Sequence, residues 1–519
     1  MSVETLHDID PVEAAIPATP PNPMTGGEFI DSLKDQRCVY FNGERVTDLT
    51  GHPAFRNSVK SLARLYDALH QDHDSGTEVL TAPADADPAG YTHRYFKVAR
   101  SGEDLLGQQR AIAEWARLSY GWMGRSPDYK AAIVNTLEAN AAYYGPFADN
   151  ARRWYHLAQD RTYFMNHAVA NPPIDRAKPI SEAKDVLVHV VKETDAGMYL
   201  SGAKVVATSA ALTHYNFLSH HAVSDTNEPP TAFMFFLDMS TPGIKLICRN
   251  SYEFAAHQAS TPFDSPLSSR FDENDAILVL DNVFVPWENV LVHGPAHKPI
   301  DFLMDTGYLQ GTCFHGCTRF AVKLDFLAGL LTKALHMTSG DEFRGNQVLQ
   351  GEVIALRHLF WSLSDAMART PEPFADGAVL PGLTAAQAYR ALAPDAYGRV
   401  KEIVQKIVAS ALIYLPSSAK DFQNPEIDAY LERYVRGSND IGYKERIKLM
   451  KLLWDATGSE FAGRHELYER NYAGNHEEVK LQLPAIARRD GSMDQMLSLV
   501  DQCLEDYDEF GWCNRAWAD

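Results

Sequence analysis

Phe320-Ala-Val-Lys-Leu-Asp-Phe-Leu-Ala-Gly-Leu-Leu-Thr-Lys-Ala-Leu335 sets Phe320, Leu324, Leu327, Leu331 and Leu335 apart by steps of four and three. On a helix with 3.6 residues per turn that stepping gathers all five on one face. The same pattern recurs at Leu349, Val353, Leu356, Phe360, Leu363 and Met367, at Val400, Val404, Ile407, Ala411 and Tyr414, and from Ile447 to Trp454. Four long amphipathic segments predict a four-helix bundle filling the C-terminal region, 296–519.

The region before it reads differently. Val186–Val190, Gly202–Val206, Thr231–Leu237, Ile244–Ile247 and Ala276–Leu280 are short and rich in β-branched and aromatic residues. Asp195-Ala-Gly197 carries turn chemistry between the first two. Strands in succession without intervening helices predict an antiparallel sandwich or barrel over 165–295. Further upstream, Val59, Leu62, Leu65 and Leu69 form a helical stripe, and 103–120 and 128–145 continue in that style. An N-terminal helical domain is therefore expected over 25–164, preceded by a flexible tail, 1–24. The class is α+β, mostly helical.

Acidic residues outnumber basic ones 68 to 48, a net charge of −20. That argues against nucleic acid and against an anionic membrane surface, both of which demand a basic face. No apolar run reaches the roughly 18 residues of a membrane span. Met1–Met24 lacks a basic stretch followed by an apolar one, so no secretory signal is read there. The six cysteines are sparse for 519 residues, which fits reduced thiols and a cytoplasmic location. Cys313-Phe-His-Gly-Cys317 has no second Cys or His pair nearby, so a buried helix start is expected there and no metal site. No Gly-x-Gly-x-x-Gly follows a strand, and there is no P-loop, His-Glu-x-x-His or Gly-x-Ser-x-Gly. If the chain carries out redox chemistry, its electrons come from another protein.

Longer segments go further. Leu118-Ser-Tyr-Gly-Trp-Met-Gly-Arg-Ser-Pro-Asp-Tyr129, Asn166-His-Ala168 and Asn171-Pro-Pro-Ile-Asp-Arg176 are three of them. Ser201–Thr208, Pro266-Leu-Ser-Ser-Arg-Phe-Asp-Glu-Asn-Asp275, Val285-Pro-Trp-Glu-Asn289 and Gly458–Asn471 complete the set. In this order they resemble the large oxygenase component of the 4-hydroxyphenylacetate 3-hydroxylase family, over nearly everything from Pro23 to Trp512. The order helices, β domain, bundle likewise resembles the acyl-CoA dehydrogenase architecture, in which flavin lies between the β domain and the bundle.

The resemblance implies a two-component monooxygenase. Reduced FAD from a separate NAD(P)H:flavin reductase reacts with dioxygen to a C4a-hydroperoxyflavin, which hydroxylates a para-substituted phenol ortho to its hydroxyl. It implies a homotetramer. It assigns Arg125, Tyr129 and His167 to the phenol and flavin pocket, and Asn166, His167, Ala168, Val169, Ala207, Thr208, Ser209, Gly458, Ser459, Glu460 and Phe461 to flavin. The residue types suit the task. A free phenol has a pKa of about 10, so a permanently charged guanidinium helps to form the phenolate. Tyr129 follows Arg125 by four, which on a helix would share its face. Arg464 and His465 are read only as members of an ion pair with Glu466 or Glu469.

Two loops depart from the family pattern. Ser219–Pro230 carries His220 and His221, and His257-Gln-Ala-Ser-Thr-Pro262 replaces a glycine-rich stretch. Both are expected near the pocket mouth, so His220, His221 and His257 are candidates for specificity. The para substituent stays open: 4-hydroxyphenylacetate, another tyrosine-like phenol, a cinnamic acid, a chlorophenol, or a tyrosyl group tethered to a carrier protein. Two other readings compete: a dehydratase or dehydrogenase on the same fold, for which the cysteines and histidine of an iron–sulfur cluster cannot be placed, and a non-catalytic flavin-binding paralogue.

Overall fold

The computed structural model describes residues 22–174, 185–219, 233–294, 298–472 and 474–517. The N-terminal region opens with a short helix, Gly26–Ser32, and a ribbon of two short strands, β1 (Val39–Phe41) and β2 (Glu44–Arg45), followed by the longer helices α1 (Arg56–Asp74) and α2 (Gly102–Leu118). α1 buries Val59, Leu62, Leu65 and Leu69, the stripe read from the sequence. α2 starts at Ser101, whose side chain accepts from the Asp104 amide at 3.1 Å.

The continuous helix expected over 128–145 is not there. Pro127–Lys130 is a 3₁₀ turn, Ala131–Val134 a single α-helical turn, and Ala141–Phe147 a further 3₁₀ stretch interrupted at Gly145 with φ 55°. Pro127 starts the first turn and Gly145-Pro146 breaks the last. A true helix, α3 (Ala148–Arg161), follows.

The middle region holds two open sheets rather than a closed barrel. Its strands are β3 (Met165–Ala168), β4 (His189–Thr194), β5 (Gly197–Thr208), β6 (Tyr215–Ser219), β7 (Phe233–Asp238), β8 (Ile244–Cys248), β9 (Asp275–Pro286) and β10 (Val290–His293). One sheet has the order β2-β1-β8-β9-β5-β4, the other β10-β7-β6-β3. Pairing is antiparallel except for β1 with β8 and β3 with β6. The Asp195-Ala196 turn joins β4 to β5 as expected, although β4 begins at His189, not Val186.

Beyond it come α4 (Tyr308–Met337), α5 (Arg344–Arg369), α6 (Leu383–Val408), α7 (Tyr443–Thr457) and α8 (Glu460–Asn471). The stripe residues Phe320, Leu324, Leu327, Leu331 and Leu335 are all buried on α4. Cys313 and Cys317 lie inside the same helix, and burial pushes the Cys313 thiol up to about 12. One expectation fails: α6 ends at Val408, and Tyr414 lies past it, half exposed. α4 packs on α5 and α6, and α2 joins them from the N-terminal half. One large apolar core runs through all three regions, from Met24 to Tyr472, with a small satellite at Ala113, Ala116 and Val322. Two further helices, α9 (His476–Arg489) and α10 (Ser492–Glu505), extend from it, and α10 buries no residue. No helix among the described residues is long and apolar enough to cross a membrane.

Candidate active site

Arg125 sits just before the Pro127–Lys130 turn, and that turn folds Tyr129 back onto it. The guanidinium carbon lies 4.1 Å from the Tyr129 ring centre, and 5.3 and 5.4 Å from those of Tyr468 and Tyr472. The juxtaposition was legible in the spacing, but a 3₁₀ turn produces it, not a shared helix face. Arg125 is 9% exposed, and its Nε and Nη1 have no hydrogen-bond partner among the described residues. Its backbone amide is held by the Glu273 carboxylate.

Tyr129 is the centre of an aromatic box. His167 approaches it edge-on at 5.6 Å, and His315 and Tyr472 each at 5.7 Å. His167 comes from β3, placed by parallel pairing with Phe217 of β6. Lys130 lies 4.3 Å from the Tyr129 ring centre and donates to the Tyr308 hydroxyl at 2.8 Å. Burial and the Arg125 charge hold the Lys130 ammonium well below the usual lysine value. Behind the box, His315 Nε2 meets Asp128 at 3.2 Å and its Nδ1 faces the Tyr472 hydroxyl at 3.3 Å.

The strand ends expected to meet flavin lie alongside. Asn166 donates from its side chain to the Thr208 carbonyl at 2.9 Å, and Thr208 Oγ1 donates to Asp275 at 2.6 Å. Ala168 and Ala207 are fully buried, Val169 is partly so, and Ser209 adopts φ 58°. Asp275 also accepts from Arg464 at 2.9 Å and from Arg249 at 3.0 Å. Burial would raise the Asp275 carboxyl, yet the two guanidiniums hold it far below the usual carboxylate range.

Gly458-Ser459 forms the break between α7 and α8, and Glu460-Phe461 opens α8. Ser459 caps α8 by accepting from the Ala462 amide at 3.1 Å, with Glu460 in the first turn. Phe461 is buried against Trp122, His465 and Tyr252. α8 then delivers Arg464 to Glu273 and Asp275, so the bundle, the strand ends and Arg125 are tied at one acidic pair. This corrects the ion pair expected for Arg464. Glu469 instead pairs with Arg319 and Lys323, and Glu466 with Lys401 and Arg470.

His257 is exposed on a short helix, and its Nδ1 lies 3.2 Å from Arg56, a contact that does not reach the box. His220 and His221 lie outside the described residues. An open groove of about 1160 Å³, lined by Phe263, Arg270, Lys333, Lys444, Lys448 and Leu452 among others, shares no residue with the box. Among the described residues no group of three His, Cys, Asp or Glu side chains could hold a metal ion.

The profile described as 4-hydroxyphenylacetate 3-hydroxylase N terminal matches residues 25–292, and that described as its C terminal matches 301–501. The chain belongs to the 4-hydroxyphenylacetate 3-hydroxylase family. It is 53% identical over 498 residues, 95% of each chain, to the 4-hydroxyphenylacetate 3-monooxygenase oxygenase component of Pseudomonas aeruginosa. It is equally 53% identical to the 4-nitrophenol 2-monooxygenase oxygenase component of a Rhodococcus, over 94% of this chain and 93% of that one. A Streptomyces globisporus monooxygenase that acts on a 3-chloro-4-hydroxyphenyl propanoyl group on a peptidyl-carrier protein is 53% identical, over 94% and 92%. The hydroxylase-family fold is matched by a solved oxygenase component complexed with FAD and 4-hydroxyphenylacetate, at TM-score 0.86 and 31% identity, covering 93% of this chain and all of the other. A 4-hydroxybutyryl-CoA dehydratase at 19% identity and TM-score 0.79 shares the fold alone.

Several residues of this hydroxylase-family site escaped the sequence reading: Asp128, Lys130, Glu273, Asp275, Tyr308, His315, Tyr468 and Tyr472. Glu273 and Asp275 stood inside a quoted motif, Asp-Glu-Asn-Asp275, and its density of carboxylates was the signal available.

Proposed function

We propose that this chain is the oxygenase component of a two-component system that hydroxylates a para-substituted phenol ortho to its hydroxyl. The observation that carries the reading is Arg125, a buried guanidinium with two donor nitrogens lacking acceptors among the described residues, framed by aromatic rings. Such a site favours an aromatic anion, and a phenolate is one. The relatives named above act on phenols, which supports the same substrate class.

In this reading Arg125 holds the phenolate oxygen and favours the ionised form. Tyr129 and His167 stand beside the reacting carbon, one as hydrogen-bond donor, the other as donor or proton acceptor. The aromatic box keeps water from the reacting atoms. The donor set beside the box suits a flavin: Thr208 ends β5 and Ser209 follows it, and the start of α8 after Ser459 presents backbone amides. Asn166–Val169, Ala207–Ser209 and Gly458–Phe461 would hold it. Reduced FAD held there would supply, with dioxygen, the oxygen atom for the ring and the two electrons that release the second oxygen as water.

We take the enzyme to be cytoplasmic and a homotetramer, served by a separate NAD(P)H:flavin reductase. α10 supports self-association, since Leu497, Leu499, Val500 and Leu504 are all more than half exposed on it. The substrate class takes in both a free phenol and a carrier-tethered one, as the relatives' substrates do.

The test uses the purified chain with a panel of phenols. NADH alone should give no product. A flavin reductase with FAD should restore turnover and yield a catechol. Oxidation of NADH by the chain without a reductase, or no catechol from any phenol with one, would overturn the reading.

A further inference from the structure

Tyr468 is buried on α8 between the Arg125 box and the acidic pair, and the reading above gives it no part. It faces the residue just before Arg125. A β-carbon placed on Gly124 would collide with the Tyr468 hydroxyl and ring edge, so a glycine there lets the two meet. Three guanidinium carbons surround the ring: Arg464 at 5.1 Å, Arg125 at 5.3 Å and Arg319 at 5.6 Å from its centre. Arg464 is neutralised by Glu273 and Asp275, and Arg319 by Glu469. Arg125 keeps Nε and Nη1 without an acceptor among the described residues.

The Tyr468 hydroxyl is in the same condition, buried and without a hydrogen-bond partner among the described residues. Tyr472, one turn along, is not: its hydroxyl donates to the Thr312 carbonyl at 3.3 Å and faces His315 Nδ1. Burial raises the Tyr468 hydroxyl well above its ordinary value, so it stays protonated and can donate. Two unmatched donors on stacked side chains, walled by aromatic rings, call for one shared acceptor.

Resting on the function proposed above, we propose that the Tyr468 hydroxyl donates a hydrogen bond to the same phenolate oxygen that Arg125 holds. The phenol is then recognised by two donors from different regions, Arg125 before the Pro127 turn and Tyr468 on the bundle helix. Docking the substrate oxygen would fasten α8 to the Arg125 segment.

The test compares two ligands on two proteins, each full-length and loaded with reduced FAD without oxygen. The ligands are 4-hydroxyphenylacetate and phenylacetate, which differ only in the hydroxyl. Tyr468→Phe should bind 4-hydroxyphenylacetate about ten- to a hundredfold more weakly than wild type. Its affinity for phenylacetate and for FAD should change less than twofold, and its Tm should not fall. Gly124→Ala keeps the hydroxyl but displaces it, and should give the same selective loss. Equal weakening of both ligands marks a packing role and overturns the proposal, as does loss of FAD affinity with ligand discrimination intact. Wild-type preference for the hydroxylated ligand that survives in Tyr468→Phe overturns the tyrosine alone. No preference in the wild type overturns the phenol reading, and this proposal with it.

Discussion

Arg125 is an expensive residue for a folded chain to keep. A buried polar group without a partner costs about 1–3 kcal/mol, and more when it carries charge. Here two nitrogens of one guanidinium are in that state among the described residues. Three stacked tyrosines offset part of the cost through their negative ring faces. Arg125→Ala should therefore lower hydroxylation about ten- to a hundredfold, read as catechol formed per flavin oxidised, with FAD affinity changing far less. Arg125→Lys should restore little, because a lysine lacks the flat surface that stacks on Tyr129. Normal hydroxylation by Arg125→Ala across neutral pH would remove Arg125 from the site. How much of this was readable varies by residue. Arg125 and Tyr129 lay four apart, and the chain does bring them together. The partners of Arg464 were sought among its neighbours, Glu466 and Glu469, because local spacing is all a sequence displays. Its true partners, Glu273 just before β9 and Asp275 at its first position, are delivered only by the tertiary fold.

At the scale of elements, α8 is held to α4 by a buried cluster. Glu469 bonds Arg319 through both oxygens and Lys323 at 2.9 Å. Burial alone would raise the Glu469 carboxyl, but the two cations hold it at about 2, below its ordinary 4.5. A carboxyl lowered on folding adds stability above its unfolded value, and that stability drains away as pH falls from about 4.5 toward 2. Removing one partner of a buried pair costs about 3–5 kcal/mol. Glu469→Gln should thus have a lower Tm at pH 7 and a flatter dependence of Tm on pH below about 4.5, both measured by thermal unfolding. Equal slopes for the two proteins would assign the acid loss to other groups. His93, which burial lowers to about 4, acts in a higher window, between about 6.5 and 4, and is common to both proteins. The helices were the readable elements, since α4 spans 30 residues and its stripe repeats many times. β3 and β6 were not, because they have four and five residues and are buried nearly throughout, leaving no alternation to detect.

For the whole molecule, the order of regions was plain in the sequence, and their interleaving was not. α2 lies in the N-terminal third yet packs into the bundle, and the β1-β2 ribbon completes a sheet otherwise built from the middle region. Periodicity tells which face of an element is apolar, not which distant element covers it. The exposed apolar side of α10 raises that question for the assembly. Deleting 492–517 should lower the mass measured by light scattering from that of a tetramer while the bundle stays folded. An unchanged mass would put the subunit contacts elsewhere. The parallel seam of β1 on β8 carries one more consequence. Val39 pairs with Leu246, so the first ribbon leaves the ribosome long before the strand that receives it has been made. Until then β1 has no template, and once β8 forms it exposes a raw edge of Ile244–Cys248 that any other extended chain could occupy. Closing that seam is a long-range event of the kind that slows folding, so during synthesis the nascent chain is most prone to aggregate in the interval before its own N-terminus returns to claim the edge.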